Sequence, residues 1–138
     1  MTTGDDSQQE AILAIDDESE FLRLLEFGFE SEGYRVHTAS DPKEGLKFYG
    51  ERWRNISVVL LDHLLPEMSS DSVFESLQHL NPDVRVVLVT GCEESVAENM
   101  RKKGLRGYFQ KPFDLPNLVQ IVRYIANAPA HASSPSPV

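Results

Sequence analysis

Between Glu10 and Asn127, short apolar runs alternate strictly with longer amphipathic stretches, and few folds accommodate that alternation. Ala11–Ile15, "AILAI", reads as a strand. Ser19–Glu32 sets Phe21, Leu22, Leu24, Leu25 and Phe29 at helical spacing, with Gly33 as its stop. Tyr34–Thr38 predicts a short second strand. Asp41-Pro42-Lys43-Glu44 supplies an N-cap acid, a proline at the first helical position and a glutamate at capping-box spacing. The helix it opens carries Leu46 and Phe48 and is expected to end near Gly50. Val58–Leu61 is a continuous apolar run, as a central parallel strand covered on both faces requires. A third helix is expected over Asp71–Leu80, with Val73, Phe74 and Leu77 inward, broken by Asn81-Pro82. Val84–Val89 predicts a strand before Thr90-Gly91, and Ser95–Lys103 a helix stopped by Gly104. Gly107–Gln110 is a fifth strand. Asp114 caps a last helix to Asn127, with Leu118, Ile121, Val122 and Ile125 inward.

Five strands and five helices joined by right-handed crossovers make an α/β doubly wound parallel sheet with helices on both faces. The 138 residues suffice for one such domain, expected over 10–127. Residues 1–9 read as a flexible N-terminus, and 128–138 as a Pro/Ser/Ala-rich tail or truncated linker. The opening MTTGDDSQQE lacks the basic and apolar regions of a signal peptide. The single cysteine, Cys92, allows no internal disulfide and fits a reducing compartment. A cytoplasmic location is therefore expected. The net charge of −9 argues against binding to nucleic acid or anionic membrane by this portion, but not against a site for a divalent cation.

Ligand sites in such sheets lie at the carboxyl ends of the strands. The first strand ends in Asp16-Asp17, the third in Asp62, the fourth in Thr90, and the fifth runs into Lys111-Pro112. The fold brings these scattered residues to one edge. Three carboxylates together repel, so the cluster predicts a divalent cation, and magnesium suits oxygen donors. Asp62, central in the sheet, can attack phosphorus, while Asp16 and Asp17 hold the cation. Lys111 can pair with a carboxylate and then with a phosphoryl oxygen, to which Thr90 can donate its hydroxyl. Pro112 fixes the turn, through a trans or a cis peptide bond.

Over nearly its whole ordered length the chain resembles the receiver domain of two-component response regulators. The resemblance rests on Asp16-Asp17, Asp62, the Leu65-Pro66-Glu67-Met68 turn, Thr90-Gly91, Tyr108 and Lys111-Pro112-Phe113, in that order on alternating elements. It implies a flavodoxin-like, CheY-like three-layer sandwich with strand order 2-1-3-4-5. It implies Asp62 as phosphoacceptor, with Lys111 and Thr90 assisting the chemistry. Magnesium, for which manganese can substitute, would be held by Asp16, Asp17, Asp62 and the backbone carbonyl of Leu64. Thr90 and Tyr108 would form a switch: Thr90 moves toward the phosphoryl group and the Tyr108 ring turns into the vacated space. The phosphoryl donor would be a histidine kinase or a histidine phosphotransfer protein, and the output a downstream effector or a covalently attached domain. Such a chain promotes its own magnesium-dependent aspartyl phosphorylation and dephosphorylation without being a conventional enzyme. The resemblance also allows weak homodimerisation through the fourth helix, fifth strand and fifth helix. The tail suits a complete single-domain regulator and an excised receiver alike.

The chain departs from the family pattern at Ser69-Ser70-Asp71, where relatives carry glycine near position 70; Ser70 is the expected cap. Leu64 and Cys92 flank the site. An apolar Leu64 side chain cannot position an attacking water, so the phosphorylated form is not expected to hydrolyse unusually fast. His63 can point toward the site or away. Each residue alone has a plainer reading: Asp17 as a helix cap, Asp62 as a turn acid, Lys111 as a solvated lysine, Thr90 as a strand-end hydroxyl, Tyr108 as packing. Their coincidence in one register carries the chemical reading over a receiver-like module that binds partners without phosphorylation. The Ser/Thr/Gly-rich phosphate loop of flavodoxins is replaced by Asp16-Asp17-Glu18, and the second acid of haloacid-dehalogenase-like phosphatases is replaced by Leu64.

Overall fold

A computed structural model describes residues 10–62, 65, 67–91, 94–111 and 114–129, with backbone alone at 90 and 94–96. Five strands alternate with five helices: β1 (Ala11–Ile15), α1 (Ser19–Glu30), β2 (Arg35–Ala39), α2 (Pro42–Arg52), β3 (Ile56–Asp62), α3 (Ser70–Leu80), β4 (Val86–Thr90), α4 (Glu94–Lys102), β5 (Gly107–Gln110) and α5 (Leu115–Asn127). All strand pairs are parallel and the order is β2-β1-β3-β4-β5, as expected.

Two apolar cores explain why the strands read as unbroken apolar runs. Successive side chains point to opposite faces, and both faces are covered. Leu13, Ile15, Val59, Leu61, Val86 and Leu88 pack on one side with Tyr49 of α2 and Val73, Phe74 and Leu77 of α3. Ile12, Ala14, Val58, Leu60, Val87 and Val89 pack on the other with Leu25 and Phe29 of α1 and Leu118 and Val122 of α5. Gly45 lets α2 lie against the end of β1, since a Cβ there would meet Ile15 Cδ1 at 2.7 Å. Arg85 and Arg106, just before β4 and β5, donate to the Ala126 and Pro129 carbonyls at 2.8 Å each and hold the end of α5.

Several boundaries differ from the sequence expectation, and local hydrogen bonds supply the reasons. α1 ends at Glu30, and the chain turns through Gly33 at φ 95°. The Tyr34 amide donates to the Phe29 carbonyl, so β2 starts at Arg35, whose amide reaches the Glu10 carbonyl. The Val84 amide likewise donates to the Asn81 carbonyl, and β4 runs Val86–Thr90 rather than Val84–Val89. β3 is longer than expected, so Asp62 is itself a strand residue. α2 passes Gly50, carried by buried Tyr49, and leads through a 3₁₀ turn, Trp53–Asn55, into β3. Its Asp41 cap accepts from the Lys43 amide at 2.8 Å instead of closing the expected capping box through Glu44. α3 starts at Ser70, which is buried, and Ser69 is the cap, accepting from the Ser72 amide at 3.2 Å. α4 spans Glu94–Lys102, one residue earlier than expected. Asp114 occupies the N-cap of α5 without a side-chain cap bond. Of the apolar residues at helical spacing on α1, Leu24 is 46% exposed.

His37 on the edge strand β2 packs its ring 4.5 Å from that of Phe48. Burial, with the Arg35 and Arg52 charges, depresses its pKa below the ordinary 6.5. As pH falls below that value the unfolded chain takes up a proton that the folded chain resists. Stability should therefore fall with pH until the depressed folded pKa is passed. Urea unfolding at pH 7.5 and 5.5 should show a smaller loss in His37→Gln than in the parent; an equal loss would place the proton uptake elsewhere.

Candidate functional site

Register alone brings the acids together. β1 and β3 pair Ile15 with Leu61, and the next residues are Asp16 and Asp62. Asp62 in turn lies beside Val89, and Thr90 beside Gln110, which precedes Lys111. Asp16 and Asp62 are buried and Asp17 is exposed. One carboxylate oxygen from each lies within 4.8 Å of the other two, close enough to share one cation. With oxygen donors and no thiol or imidazole among them, these three residues suit a hard cation such as magnesium.

Lys111 enters this cluster from the end of β5. Its Nζ lies 3.1 Å from Asp16 Oδ2, 2.8 Å from Glu18 Oε1 and 4.0 Å from Asp62 Oδ1. It also sits 4.2 Å from the ring centroid of Phe21 on α1, a cation–π contact that holds the stem across the helix. Asp16 is fixed at both oxygens, because Oδ1 accepts from the Glu18 amide at 2.9 Å. Three carboxylates thus face one ammonium, with Asp17 clustered beside Asp16 and Asp62.

Burial holds the Asp16 carboxyl above its ordinary 3.8, despite the Glu18 amide bond and the Lys111 charge. Burial pulls the Lys111 ammonium down, but hydrogen bonds to Glu18 and Asp16 and the charges of Asp16 and Asp62 outweigh it, so its pKa rises above 10.5. Its ion pairing therefore stabilises the fold fully below that ordinary value and is lost only as pH rises through the higher one. The bond to Lys111 pulls exposed Glu18 below 4.5.

Of the residues expected at the site, the structure brings together Asp16, Asp17, Asp62 and Lys111. The Thr90 backbone ends β4 at the same edge. Tyr108 is buried in the core shared with α2, α3 and α4, opposite Leu88 in the register. Leu64, with its carbonyl, and His63, Pro66, Cys92, Pro112 and Phe113 lie outside the described residues. Glu67, in the loop after β3, has a left-handed φ of 71°, a conformation that costs a non-glycine residue about 1–2 kcal/mol. Two participants escaped the sequence reading: Glu18, a partner of Lys111, and Phe21, which lies beneath it. Glu18 stands two residues after Asp16, but nothing in that spacing announces a lysine 93 positions away.

A family model for the response regulator receiver domain matches residues 12–123. The chain belongs to that family. This receiver is 32% identical over 114 residues to the uncharacterized transcriptional regulatory protein YkoG of Bacillus subtilis, covering 81% of this chain and 49% of that protein. It is 28% identical over 113 residues to the sensor kinase CckA of Brucella abortus, covering 81% and 12% respectively. The receiver thus spans about half the length, or less, of these curated relatives. The crystal structure of a response regulator receiver domain protein from Clostridium thermocellum superposes with a TM-score of 0.81 at 31% identity, covering 86% of this chain and 94% of that one. Among the described residues no helix of the receiver is long and apolar enough to cross a membrane.

Proposed function

We propose that this receiver, residues 10–127 with flanking segments 1–9 and 128–138, accepts a phosphoryl group on Asp62 from a histidine kinase or a phosphotransfer histidine in the cytoplasm. The observation that carries the reading is the convergence of Asp16, Asp17 and Asp62 within 4.8 Å, with Lys111 4.0 Å from Asp62. Asp16, Asp17, Asp62 and the Leu64 carbonyl would hold magnesium, which when bound neutralises phosphoryl oxygens; manganese can substitute. An Asp62 carboxylate oxygen forms the new bond to phosphorus. The bond from phosphorus to the donor nitrogen breaks, and its electron pair returns to the imidazole. Lys111 exchanges part of its contact with Asp16 and Glu18 for a phosphoryl oxygen, so charge arriving at Asp62 meets a cation already in place.

Thr90 and Tyr108 are the switch in this reading. Leu88 and Tyr108 are register partners, and so are Thr90 and Gln110, so motion at the end of β4 is adjacent to β5. Thr90 donates to the phosphoryl group, and the Tyr108 ring follows into the space left behind. The surface of α4, β5 and α5 changes shape for an effector or an attached output domain.

The test is intact-protein mass after incubation with magnesium and acetyl phosphate, beside Asp62→Ala. One magnesium-dependent phosphoryl adduct is expected, absent from the variant. Folded protein that neither gains the adduct nor binds magnesium would instead be a phosphorylation-independent interaction module.

A further inference from the structure

Glu18 occupies the N-cap of α1, a position that favours Ser, Thr, Asp or Asn because their short side chains accept a helix amide. Glu18 makes no such bond. Its backbone and its side chain serve the acidic edge instead. The Glu18 amide donates to Asp16 Oδ1 at 2.9 Å, and the Glu18 carboxylate accepts from Lys111 Nζ at 2.8 Å. Among the described residues that is the shortest ion pair of Lys111, whereas Asp62 Oδ1 at 4.0 Å is beyond hydrogen-bond reach. Glu18 also stands outside the group of three acids able to share a cation.

Exposure separates its role from theirs. The Glu18 side chain is 64% exposed, against 3% for Asp16 and 7% for Asp62. A buried carboxylate deserted by its cation loses a partner that water cannot replace, but Glu18 can turn to solvent at little cost. The ammonium need not leave with it. Phe21, one turn further along α1, lies with its ring centroid 4.2 Å from Nζ and carries no charge to compete with an incoming anion. Lys111 thus has one charged partner that solvent can replace and a neutral one that keeps it at the sheet edge meanwhile.

We infer that Glu18 is a positioning residue that restrains phosphoryl acceptance: it holds the Lys111 ammonium off Asp62, and the contact is given up as Lys111 turns to a phosphoryl oxygen. The inference rests on the phosphoacceptor reading of Asp62. Whatever the Glu18–Lys111 pair contributes stabilises the resting chain alone, so it opposes both the transfer and its product. Glu18→Gln tests this, because the bond to Asp16 uses only the backbone amide and glutamine keeps the side-chain length. At saturating magnesium, phosphorylation by acetyl phosphate, followed by intact mass, should run about two- to fivefold faster than in the parent, the range of one exposed ion pair. Beryllofluoride, a phosphoryl stand-in that transfers nothing, should bind more tightly by a similar factor in calorimetry. The gain in rate should vanish when Glu18→Gln is combined with Lys111→Ala. A rate or a beryllofluoride affinity that is unchanged or lower overturns the inference. So does an acceleration that survives without Lys111, which would reflect only one negative charge fewer near the incoming anion. A parent chain that neither gains the adduct nor binds beryllofluoride would instead overturn the phosphoacceptor reading itself, and this inference with it.

Discussion

Lys111→Ala is expected to bind magnesium about tenfold more tightly while accepting phosphoryl groups about a hundredfold more slowly, an effect of the size seen when one transition-state donor is removed. The two effects share one cause. The Lys111 ammonium stands 3.1 Å from Asp16 and 4.0 Å from Asp62, so it competes with any cation for the same carboxylates. A unit charge about 4 Å away is worth roughly 1 kcal/mol in water and 4 kcal/mol at the effective dielectric near a protein surface. A tenfold gain, about 1.4 kcal/mol, sits at the modest end of that range. On the proposed function the loss in transfer follows because the same ammonium would meet a phosphoryl oxygen arriving at Asp62. Magnesium titration by calorimetry and a mass-spectrometric time course with acetyl phosphate measure the two quantities separately. Opposite signs are the signature. If magnesium binding weakened together with transfer, Lys111 would be holding the site in shape, and its competition with the metal would be refuted.

The second large effect lies one residue behind the acids. Leu61 is fully buried, pairs with Ile15 of β1 and Leu88 of β4, and precedes Asp62. Leu61→Ala should lower stability by about 2–5 kcal/mol, because the flanking strands cannot close the cavity. Domains of this kind have only about 5–15 kcal/mol in total, so much of the margin would go. The urea midpoint should drop with little change in slope. Asp62 itself is intact, so saturating magnesium should restore part of the loss, about 2.7 kcal/mol at a hundred times the dissociation constant. A loss below about 1 kcal/mol would mean that β3 has room to collapse, against the close packing on both of its faces.

The parts of the fold that were legible are those determined by apolar content. β1 and β5 fall where the sequence places them, because nothing local competes for their backbone groups. β2 and β4 shift because the Tyr34 and Val84 amides bond to preceding carbonyls, a choice that leaves no trace in hydrophobic pattern. The convergence of Asp16, Asp17, Asp62 and Lys111 was legible for a topological reason: parallel strands deliver their carboxyl ends to one edge. Glu18 and Phe21 were not, because their part depends on how far the Lys111 side chain reaches and which helix turn it crosses. Phe27, left exposed, drew no notice as one more apolar residue on an amphipathic helix. The apolar stripe of α1 is wider than the face it buries, and only packing shows which part is left over.

The crowding of carboxylates around one ammonium also sets a direction for change in this protein. Removing any of the three clustered aspartates relieves repulsion that the folded chain otherwise sustains, while the apolar layers beneath stay untouched. Selection for heat resistance alone would therefore reach Asp16, Asp17 and Asp62 early, and would enrich sturdier descendants that have lost part of the acidic cluster.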